Sequence, residues 1–381
     1  MTLNIRIKEF TEQLKQKGLL RARQVSLPAE SDMTHFDSND YLSLTTDKRI
    51  ATAYQNGYKL YPCGSGASML LSGYHPNHQA VERAFSELLS VDDCILFSSG
   101  YAANLAITAL IGRIKAHCLI DKALHASVYD GLALSQVCFT RYHHNDVDDL
   151  VLKLNSVPSA SVLFTEGIFS MSGQIAPLKL ISELCTGKNA GLFVDEAHSF
   201  GVIGPQGKGA TVHYGLTQAE VPLRVIPLGK AFASQGAVVA GDKEWINGLL
   251  QAGRSMIYST GISPALSYGL LNTLHVVFQA DDRRLKLSRL ISYFKTLIKS
   301  SPLSWGESST QIQQLQLGCP HLAMFYAQEL KRNGISCFPV RSPTVTVKAT
   351  GLRIILNFNH QEEDINNLFN TLHQIYENTL N

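Results

Sequence analysis

The chemistry that this sequence can support is organised around one lysine, Lys230, in the segment LRVIPLGKAFASQGAVVAG (223–241). Residues 225–241 are otherwise small, apolar or uncharged. An amine in such surroundings loses hydration, and the uncharged amine is a nucleophile that can form a Schiff base. Taken alone, the segment is more typical of a lysine at a strand end that points into solvent. The residues upstream decide between these interpretations.

Asp195 is the second residue of interest, in the segment AGLFVDEAHSFGVIG (190–204), where it follows an apolar strand-like run. His198 comes three residues later. Pyridoxal 5′-phosphate (PLP) requires an amine to carry its aldehyde carbon and a carboxylate against its ring nitrogen, so that the protonated ring can absorb electrons. Lys230 and Asp195 have the residue types for these two roles.

Further polar residues follow other strand-like runs. Each has a structural alternative: a tight turn for Gly100, a helix cap for His125 and a loop hydroxyl for Ser170. Exposed amides where a helix opens suit a phosphate, and SSGYAANLA predicts such an opening. Because ligands bind at the carboxyl ends of parallel strands, the recurrence of these groups favours one shared site. Its candidate members are Gly100, Tyr101, His125, Glu166, Ser170, Asp195, His198 and Lys230.

The elements that must position these residues are strands alternating with helix-length segments. Such alternation predicts an α/β fold with a mostly parallel sheet and helices on both faces. The predicted strands are 94–97, 117–120, 136–140, 161–164, 192–194, 224–228 and 237–240.

The two ends of the chain have a different pattern. Residues 3–20 predict a polar N-terminal helix, and 266–299 predict a long helical region that links two domains. The remainder predicts strands at 311–317, 337–339 and 352–358, a helix at 320–332 and a final helix with Asn359 as its N-cap and Glu362 three residues on. We expect an N-terminal segment (1–45), a large cofactor domain (46–265) and a small α+β C-terminal domain (266–381). In the last, Arg353 is a candidate carboxylate clamp, or one half of a cross-strand ion pair.

Composition describes an ordinary globular protein. The 381 residues are 45% hydrophobic and carry a formal charge of +2, so no global field favours nucleic acid or a membrane surface. The seven cysteines lack CxxC spacing and are interpreted as reduced core thiols, and no metal site is predicted. Without a signal peptide or a long apolar run, the sequence predicts a cytoplasmic protein.

The motifs together resemble the α-oxoamine synthases, PLP enzymes of fold type I, over nearly the whole chain. They occur in the order typical of that family: SNDYLSL, GSGASMLLSGYHPNHQAVE, SSGYAANLA, HAS, HND, TEGIFSMSG, VDEAHSFGVIG, GKAFASQGA, YST and RSPTV. The resemblance implies a large domain with a mostly parallel seven-stranded sheet, a smaller C-terminal α+β domain, and active sites shared across a homodimer. The motifs are most similar to those of members that condense L-alanine with pimeloyl-CoA, or another pimeloyl thioester, to 8-amino-7-oxononanoate, CoA and carbon dioxide in biotin synthesis.

The resemblance also implies roles for the cofactor residues. Lys230 would carry PLP and move the Cα proton, and Asp195 would pair with the ring nitrogen. His198 would hydrogen-bond the ring oxygen and His125 would stack on the ring. The remaining contacts would come from the amides of Gly100 and Tyr101 to the phosphate, from Ser170, and from Thr260 to the phosphate bound in the partner subunit.

The substrate residues are implied in the same way. Asn39 and Arg353 would bind the carboxylate of the amino acid. Arg21 would lie near the acyl-CoA, and Thr344, in the RSPTV motif, would also contact substrate.

There are four departures from the family pattern. Pro227 stands where members usually have a threonine or serine whose hydroxyl binds the phosphate, and proline offers neither a hydroxyl nor an N–H. We therefore expect weaker PLP retention. The others are GSGASM for GSGGSR, SNDYLSL for SNDYLGL, and Gly351 for the usual arginine two residues before Arg353, and they bear on the acyl-chain and substrate preferences.

Alternative functions share part of this pattern. Glycine C-acetyltransferase, 5-aminolevulinate synthase and long-chain aminoketone signal synthases use the same site chemistry. An inactive partner subunit typically lacks the lysine, which is present here as Lys230. A simple binding protein of the doubly wound type leaves the clustered polar strand ends unexplained.

Overall fold

The computed structural model describes residues 2–21, 23, 33–158, 160–342 and 344–380. Pro343 of the RSPTV motif lies outside this set. The α-helices are α1 (Leu3–Gln16), α2 (Lys48–Leu60), α3 (Pro76–Leu89), α4 (Gly100–Arg113), α5 (Ala126–Leu134), α6 (Val147–Asn155), α7 (Leu178–Lys188), α8 (Ala210–His213), α9 (Lys243–Ala252), α10 (Arg254–Ile257), α11 (Pro264–Phe278), α12 (Asp281–Ser300), α13 (Pro320–Arg332) and α14 (Glu362–Leu380). The strands are β1 (Thr34–His35), β2 (Asp93–Phe97), β3 (His117–Asp121), β4 (Phe139–Tyr142), β5 (Ser161–Glu166), β6 (Gly191–Asp195), β7 (Leu223–Pro227), β8 (Ala237–Gly241), β9 (Ile312–Gln316), β10 (Ile335–Ser336), β11 (Phe338–Val340) and β12 (Gly351–Ile355).

The chain divides into two compact units. The larger comprises Leu42–Ser170 and Ile175–Arg284, and the smaller comprises Met1–Tyr41, Met171–Gln174 and Leu285–Asn381. The sequence-based domain limits at 45/46 and 265/266 stay a prediction.

The larger unit is built on a seven-stranded sheet in the order β2-β8-β7-β6-β5-β3-β4. Pairing is parallel from β7 through β6, β5 and β3 to β4, and β8 runs antiparallel to both of its neighbours. The prediction of a mostly parallel sheet is therefore confirmed. At one edge, β2 is bordered by α3, whose Glu82 accepts a hydrogen bond from the backbone amide of Leu96 at 2.8 Å.

Successive side chains of each strand point to opposite faces of this sheet, and helices cover both faces. Val162 and Phe164 of β5 belong to one buried cluster with residues of α4, α5 and α9. Leu163, which lies between them, belongs to a second cluster with residues of α6 and α7. Continuous apolar runs such as Val162–Phe164 are therefore explained by burial on both faces.

The smaller unit has an antiparallel sheet in the order β11-β12-β9 and a short parallel pair, β1-β10. Helix α1 has no buried residue. It ends at Gln16 and not near residue 20 as predicted, because Gly18 adopts a left-handed φ of 64° and the amide of Leu19 bonds back to the carbonyl of Leu14 at 2.8 Å.

The prediction of a helical region at 266–299 is confirmed, and the region consists of two helices, α11 and α12. Arg284 of α12 donates to the last carbonyls of α11, those of Val277 at 2.8 Å and Phe278 at 3.1 Å. The N-cap predicted for the last helix is wrong. The final helix begins at Glu362, so Asn359 is not its N-cap. Asp364 instead accepts from the amide of Gln361 at 2.8 Å.

Strand limits shift by one to three residues elsewhere. The predicted strand 136–140 is in fact β4 at 139–142, because Gln136 takes a left-handed φ of 51° and closes the end of α5. The predicted strands 311–317, 337–339 and 352–358 correspond to β9, β11 and β12, and β12 stops three residues early.

The cysteines are all free thiols, but they are not all in the core. Cys94, Cys118, Cys185 and Cys337 are buried, while Cys63 and Cys138 are exposed and Cys319 is intermediate. None of the described helices is long and apolar enough to cross a membrane.

Candidate active site

Lys230 lies in a tight loop between β7 and β8. The amide of Leu228 donates a hydrogen bond to the carbonyl of Gly236 at 2.9 Å, and this contact closes the loop. Within the loop, the amide of Ala233 donates to the carbonyl of Lys230 at 2.8 Å. Ala233 adopts a left-handed φ of 52°. Phe232 is buried and anchors the loop in the core, while Lys230 is only half-buried. The loop therefore fixes the backbone of Lys230 and leaves its side chain accessible.

Asp195 is the last residue of β6 and is only 4% exposed. Its Oδ2 accepts from Nδ2 of Asn104 at 3.0 Å, and its Oδ1 accepts from the amide of Ala197 at 2.9 Å. Asn104 is buried in α4 and also donates to Oγ of Ser127 at 2.9 Å. Hydrogen bonds to the ionised form stabilise a buried carboxylate. Asp195 is therefore suited to pair with a protonated ring nitrogen.

His125 is the N-cap of α5, so the structural alternative for this residue is also correct. Its Nδ1 lies 2.8 Å from Oγ of Ser127 and accepts from the Ser127 amide at 3.3 Å. Burial lowers the pKa of His125, nearby Asp195 opposes that shift, and nearby Lys230 adds to it. Oγ of Ser127 and Oδ2 of Asp195 both accept from Nδ2 of Asn104, so His125 lies close to Asp195. An imidazole in this position is suited to lie against an aromatic ring.

Gly100 and Tyr101 form the first turn of α4, as predicted. Ser99 caps the helix by accepting from the amide of Ala102 at 3.1 Å, and the first turn contains no acidic residue. A Cβ at Gly100 would stand 2.6 Å from Cγ of Pro227, so only glycine fits at this position. First-turn amides lack intrahelical acceptors and suit a phosphate. Pro227 therefore packs against the helix end that is the candidate phosphate site.

The remaining cofactor candidates lie in the same unit. His198 and Ser170 are buried at 4% and 6% exposure, and the amide of Ser170 donates to Oε2 of Glu166 at 3.1 Å. Thr260 is exposed in the loop after α10. The next residue, Gly261, bonds the carbonyl of Ala67 at 3.1 Å, which ties this loop to the GSGASM segment.

The smaller unit brings two substrate candidates together. Nη1 and Nη2 of Arg353 both donate to Oδ1 of Asn39 at 3.1 Å, and the hydroxyl of Tyr41 donates to the same oxygen at 3.0 Å. Arg353 is 7% exposed. Arg353 is therefore a buried guanidinium oriented by the amide of Asn39, and a guanidinium fork matches the two oxygens of a carboxylate.

Arg21 and Thr344 are both exposed in the smaller unit. Burial lowers the pKa of Arg341 and the positive charge of nearby Arg21 adds to this effect. The amide of Thr344 bonds the carbonyl of Arg341 at 3.0 Å. Arg21 and Thr344 are therefore both associated with Arg341.

Sequence reasoning missed two structural supports of the site. Asn104 is one; its signal was a single amide in the otherwise apolar helix segment NLAITAL. The other is Glu196, which is fully buried. Its carboxylate accepts hydrogen bonds from Nη2 of Arg224 at 3.0 Å and from the amides of Ala210 and Thr211 at 2.7 and 3.0 Å. Burial raises the pKa of Glu196, but Arg224 and the hydrogen bonds from Ser199 and Thr211 together outweigh burial, so the pKa falls below its usual value. The position of Glu196 directly after Asp195 was visible in the sequence, but its partners were not.

The residues of the larger unit fit PLP. They provide an amine at Lys230, a buried carboxylate at Asp195, an imidazole at His125 and a helix end that accepts an anion at Gly100. Each lies at or after the carboxyl end of a strand of one sheet, or at the start of the helix that follows.

Comparison with known proteins agrees with this fit. The family model for class I and II aminotransferases matches residues 31–372. The 8-amino-7-oxononanoate synthase of Hahella chejuensis is 38% identical over 89% of this chain and 86% of its own, and that of a Marinomonas species is 34% identical over 96% and 93%.

Solved structures give the same result. The 8-amino-7-oxononanoate synthase of Francisella tularensis is 30% identical, with a TM-score of 0.81 over 92% of this chain and 99% of its own. The serine palmitoyltransferase of Sphingomonas wittichii shares the fold, with a TM-score of 0.87 over 96% of this chain and 95% of its own at 23% identity. The chain belongs to the PLP-dependent class I and II aminotransferase family and, within it, to the α-oxoamine synthases that include 8-amino-7-oxononanoate synthase.

Proposed function

We propose that this protein condenses L-alanine with a pimeloyl thioester, releasing carbon dioxide and the thiol, to form 8-amino-7-oxononanoate in biotin synthesis. The observation that carries the proposal is the association of Lys230, Asp195 and His125 in a chain whose relatives at 34–38% identity bear that enzyme name. PLP supplies an electron sink when it is bound.

The proposed roles of the larger unit follow from the chemistry of its side chains. Lys230 carries PLP covalently and transfers the proton at the Cα of the substrate. Asp195, held in place by the hydrogen bond from Asn104, would pair with the ring nitrogen. His125 lies against the ring, while His198 binds the ring oxygen. The phosphate is bound by the amides of Gly100 and Tyr101, with Ser170 also in contact with the cofactor.

The smaller unit is proposed to bind the substrates. Arg353, oriented by Asn39, binds the carboxylate of alanine, since a guanidinium fork matches two oxygens. Arg21 and Thr344 contact the acyl thioester. We also propose a cytoplasmic homodimer in which Thr260 reaches the phosphate bound in the partner subunit.

The test is thiol release by the purified, PLP-loaded protein. Alanine, glycine and serine are each paired with pimeloyl-, acetyl-, succinyl- and medium-chain acyl-CoA. We expect selective turnover of alanine with pimeloyl-CoA, abolished in Lys230→Ala and unchanged in Lys188→Ala, which alters an exposed lysine at the end of α7.

Other outcomes would redirect the proposal. Turnover of another pair would keep the mechanism and assign the protein to a different α-oxoamine synthase, such as a glycine C-acetyltransferase. Lack of turnover with every pair would favour an inactive partner subunit.

A further inference from the structure

Glu166 is a buried carboxyl in the larger unit that the proposed mechanism does not use. It is the last residue of β5, and the parallel register places it directly beside Asp195, the last residue of β6. Glu166 and Asp195 are 2% and 4% exposed. Neighbouring strands lie about 4.8 Å apart and paired residues point to the same face. Two carboxyls thus share one buried edge of the sheet, at the end that carries the active site.

The hydrogen bonds of the two carboxyls are unequal. Both oxygens of Asp195 accept hydrogen bonds, from Asn104 and from Ala197. Glu166 accepts from the amide of Ser170 through Oε2 at 3.1 Å, and the backbone amide of His125 also faces this carboxyl, but its buried Oε1 has no hydrogen-bond partner among the described residues. Since hydrogen bonds from donors favour the ionised form, the negative charge of this pair is better stabilised on Asp195.

The charged and titratable groups around Glu166 come from three elements. They are Asp195 on β6, Lys230 in the loop after β7, and His125, whose backbone amide faces Glu166 from the start of α5. Two like charges in one buried site disfavour double ionisation, so one carboxyl of such a pair keeps a proton.

We infer that Glu166 is a positioning residue that keeps its proton in the resting site, so that the two neighbouring buried carboxyls do not both carry a negative charge. Burial raises the pKa of Glu166 to about 8, with Asp195 contributing in the same direction and with Lys230 and the amides of Ser170 and His125 opposing it. The inference rests on the proposed roles of Asp195 and Lys230, but its test does not require turnover.

The consequence concerns the chemistry of Lys230. A second carboxylate beside Asp195 would stabilise the ammonium form of Lys230, which is not nucleophilic. A neutral Glu166 avoids that effect and still fills its buried space. The site can then hold one negative charge for the ring nitrogen and keep the lysine available for covalent bonding.

The experiment is infrared titration of the protein freed of PLP, following the carbonyl stretch of protonated carboxylic acids. We expect a band that persists at neutral pH, disappears with a midpoint near pH 8, and is missing in Glu166→Gln. The matched control is Glu82→Gln, which removes a different buried carboxyl, on α3, and leaves the Glu166 band in place. Asp195→Asn removes the neighbouring charge and is expected to move the midpoint down by about one pH unit or more.

Either of two results would overturn the inference. One is a protonated-acid band at pH 7 that is the same in the wild type and in Glu166→Gln. The other is a titration midpoint that is the same in the wild type and in Asp195→Asn. If Glu166→Gln does not fold, the comparison of wild type with Asp195→Asn still decides the matter.

A second measurement separates positioning from packing. Because glutamine imitates the neutral acid, Glu166→Gln is expected to retain PLP affinity at pH 7 within about twofold. We expect the affinity of the wild type to change between pH 7 and 9 as Glu166 ionises, and we expect Glu166→Gln to lose that part of the change. Parallel pH profiles for the two proteins would contradict the inference, whatever activity they have.

Discussion

Replacing Pro227 with threonine is expected to slow the loss of PLP. The ring of Pro227 packs against Gly100 at the start of α4, where a Cβ on the glycine would stand only 2.6 Å away. This is the helix end proposed to hold the phosphate, and proline offers it no donor. Threonine adds a hydroxyl that is able to donate to a phosphate oxygen.

The hydroxyl of a nearby serine, Ser234, is already engaged with another side chain of the protein. The hydroxyl of Ser234 is hydrogen-bonded to the phenol of Tyr54, and Oγ1 of Thr273 lies 3.5 Å from the same phenol. The effect of Pro227→Thr is therefore expected to be a full hydrogen bond to a charged group. Such bonds contribute about 1.5–3 kcal/mol. Since about 1.4 kcal/mol corresponds to a factor of ten, PLP should dissociate about 10–100 times more slowly.

The assay is the rate of PLP release into a trap, followed by absorbance. Pro227→Val is the matched control, because valine has the shape of threonine and restores the same backbone N–H without the hydroxyl. Both variants lose the same ring contact with Gly100, so their difference isolates the hydroxyl. Equal release rates for the threonine and valine variants would refute the reasoning.

Three further predictions test other parts of the structure. Arg224→Met leaves the carboxylate of Glu196 buried without its cation, so we expect a loss of about 3–5 kcal/mol in the free energy of unfolding; an unchanged urea midpoint would argue against it. Burial raises the pKa of Glu82 from 4.5 to about 7, so the folded protein retains a proton that the unfolded chain releases in that window. Stability is then lost as the pH rises from 4.5 to 7, by about 3 kcal/mol, and Glu82→Gln should remove this slope in thermal unfolding. Arg353→Lys loses one of two contacts with Asn39 and cannot bind a carboxylate with a fork, so the KM for alanine should rise about tenfold while that for the acyl donor stays constant; an equal rise in both would contradict the assigned role.

The sequence predicted the sheet and the location of the site because both depend on local patterns. Apolar runs such as Val162–Phe164 are buried on both faces, and parallel strands deliver the residues that follow them to one edge. Lys230, Asp195 and His125 could therefore be associated without knowledge of any distance between them.

Other features depend on contacts that local patterns do not contain. The left-handed conformation of Gln136 displaces β4 from the predicted range. Residues other than glycine adopt this conformation uncommonly, so the residue type at position 136 does not predict it. Asn104 and Arg224 are far in sequence from the carboxylates that they bind, so only the folded chain identifies their partners. The start of α14 was misplaced because Asp364, inside the helix, caps it from within.

Glu82 also has a consequence for association between molecules. β2 is an edge strand, and an edge strand with unpaired amides is a template on which another chain can add a strand. One oxygen of the Glu82 carboxyl accepts a hydrogen bond from the amide of Leu96, and the other accepts one from the hydroxyl of Tyr74. Removing the side chain in Glu82→Ala would leave this amide unpaired at the edge, and we expect that variant to aggregate on mild heating before its larger unit unfolds.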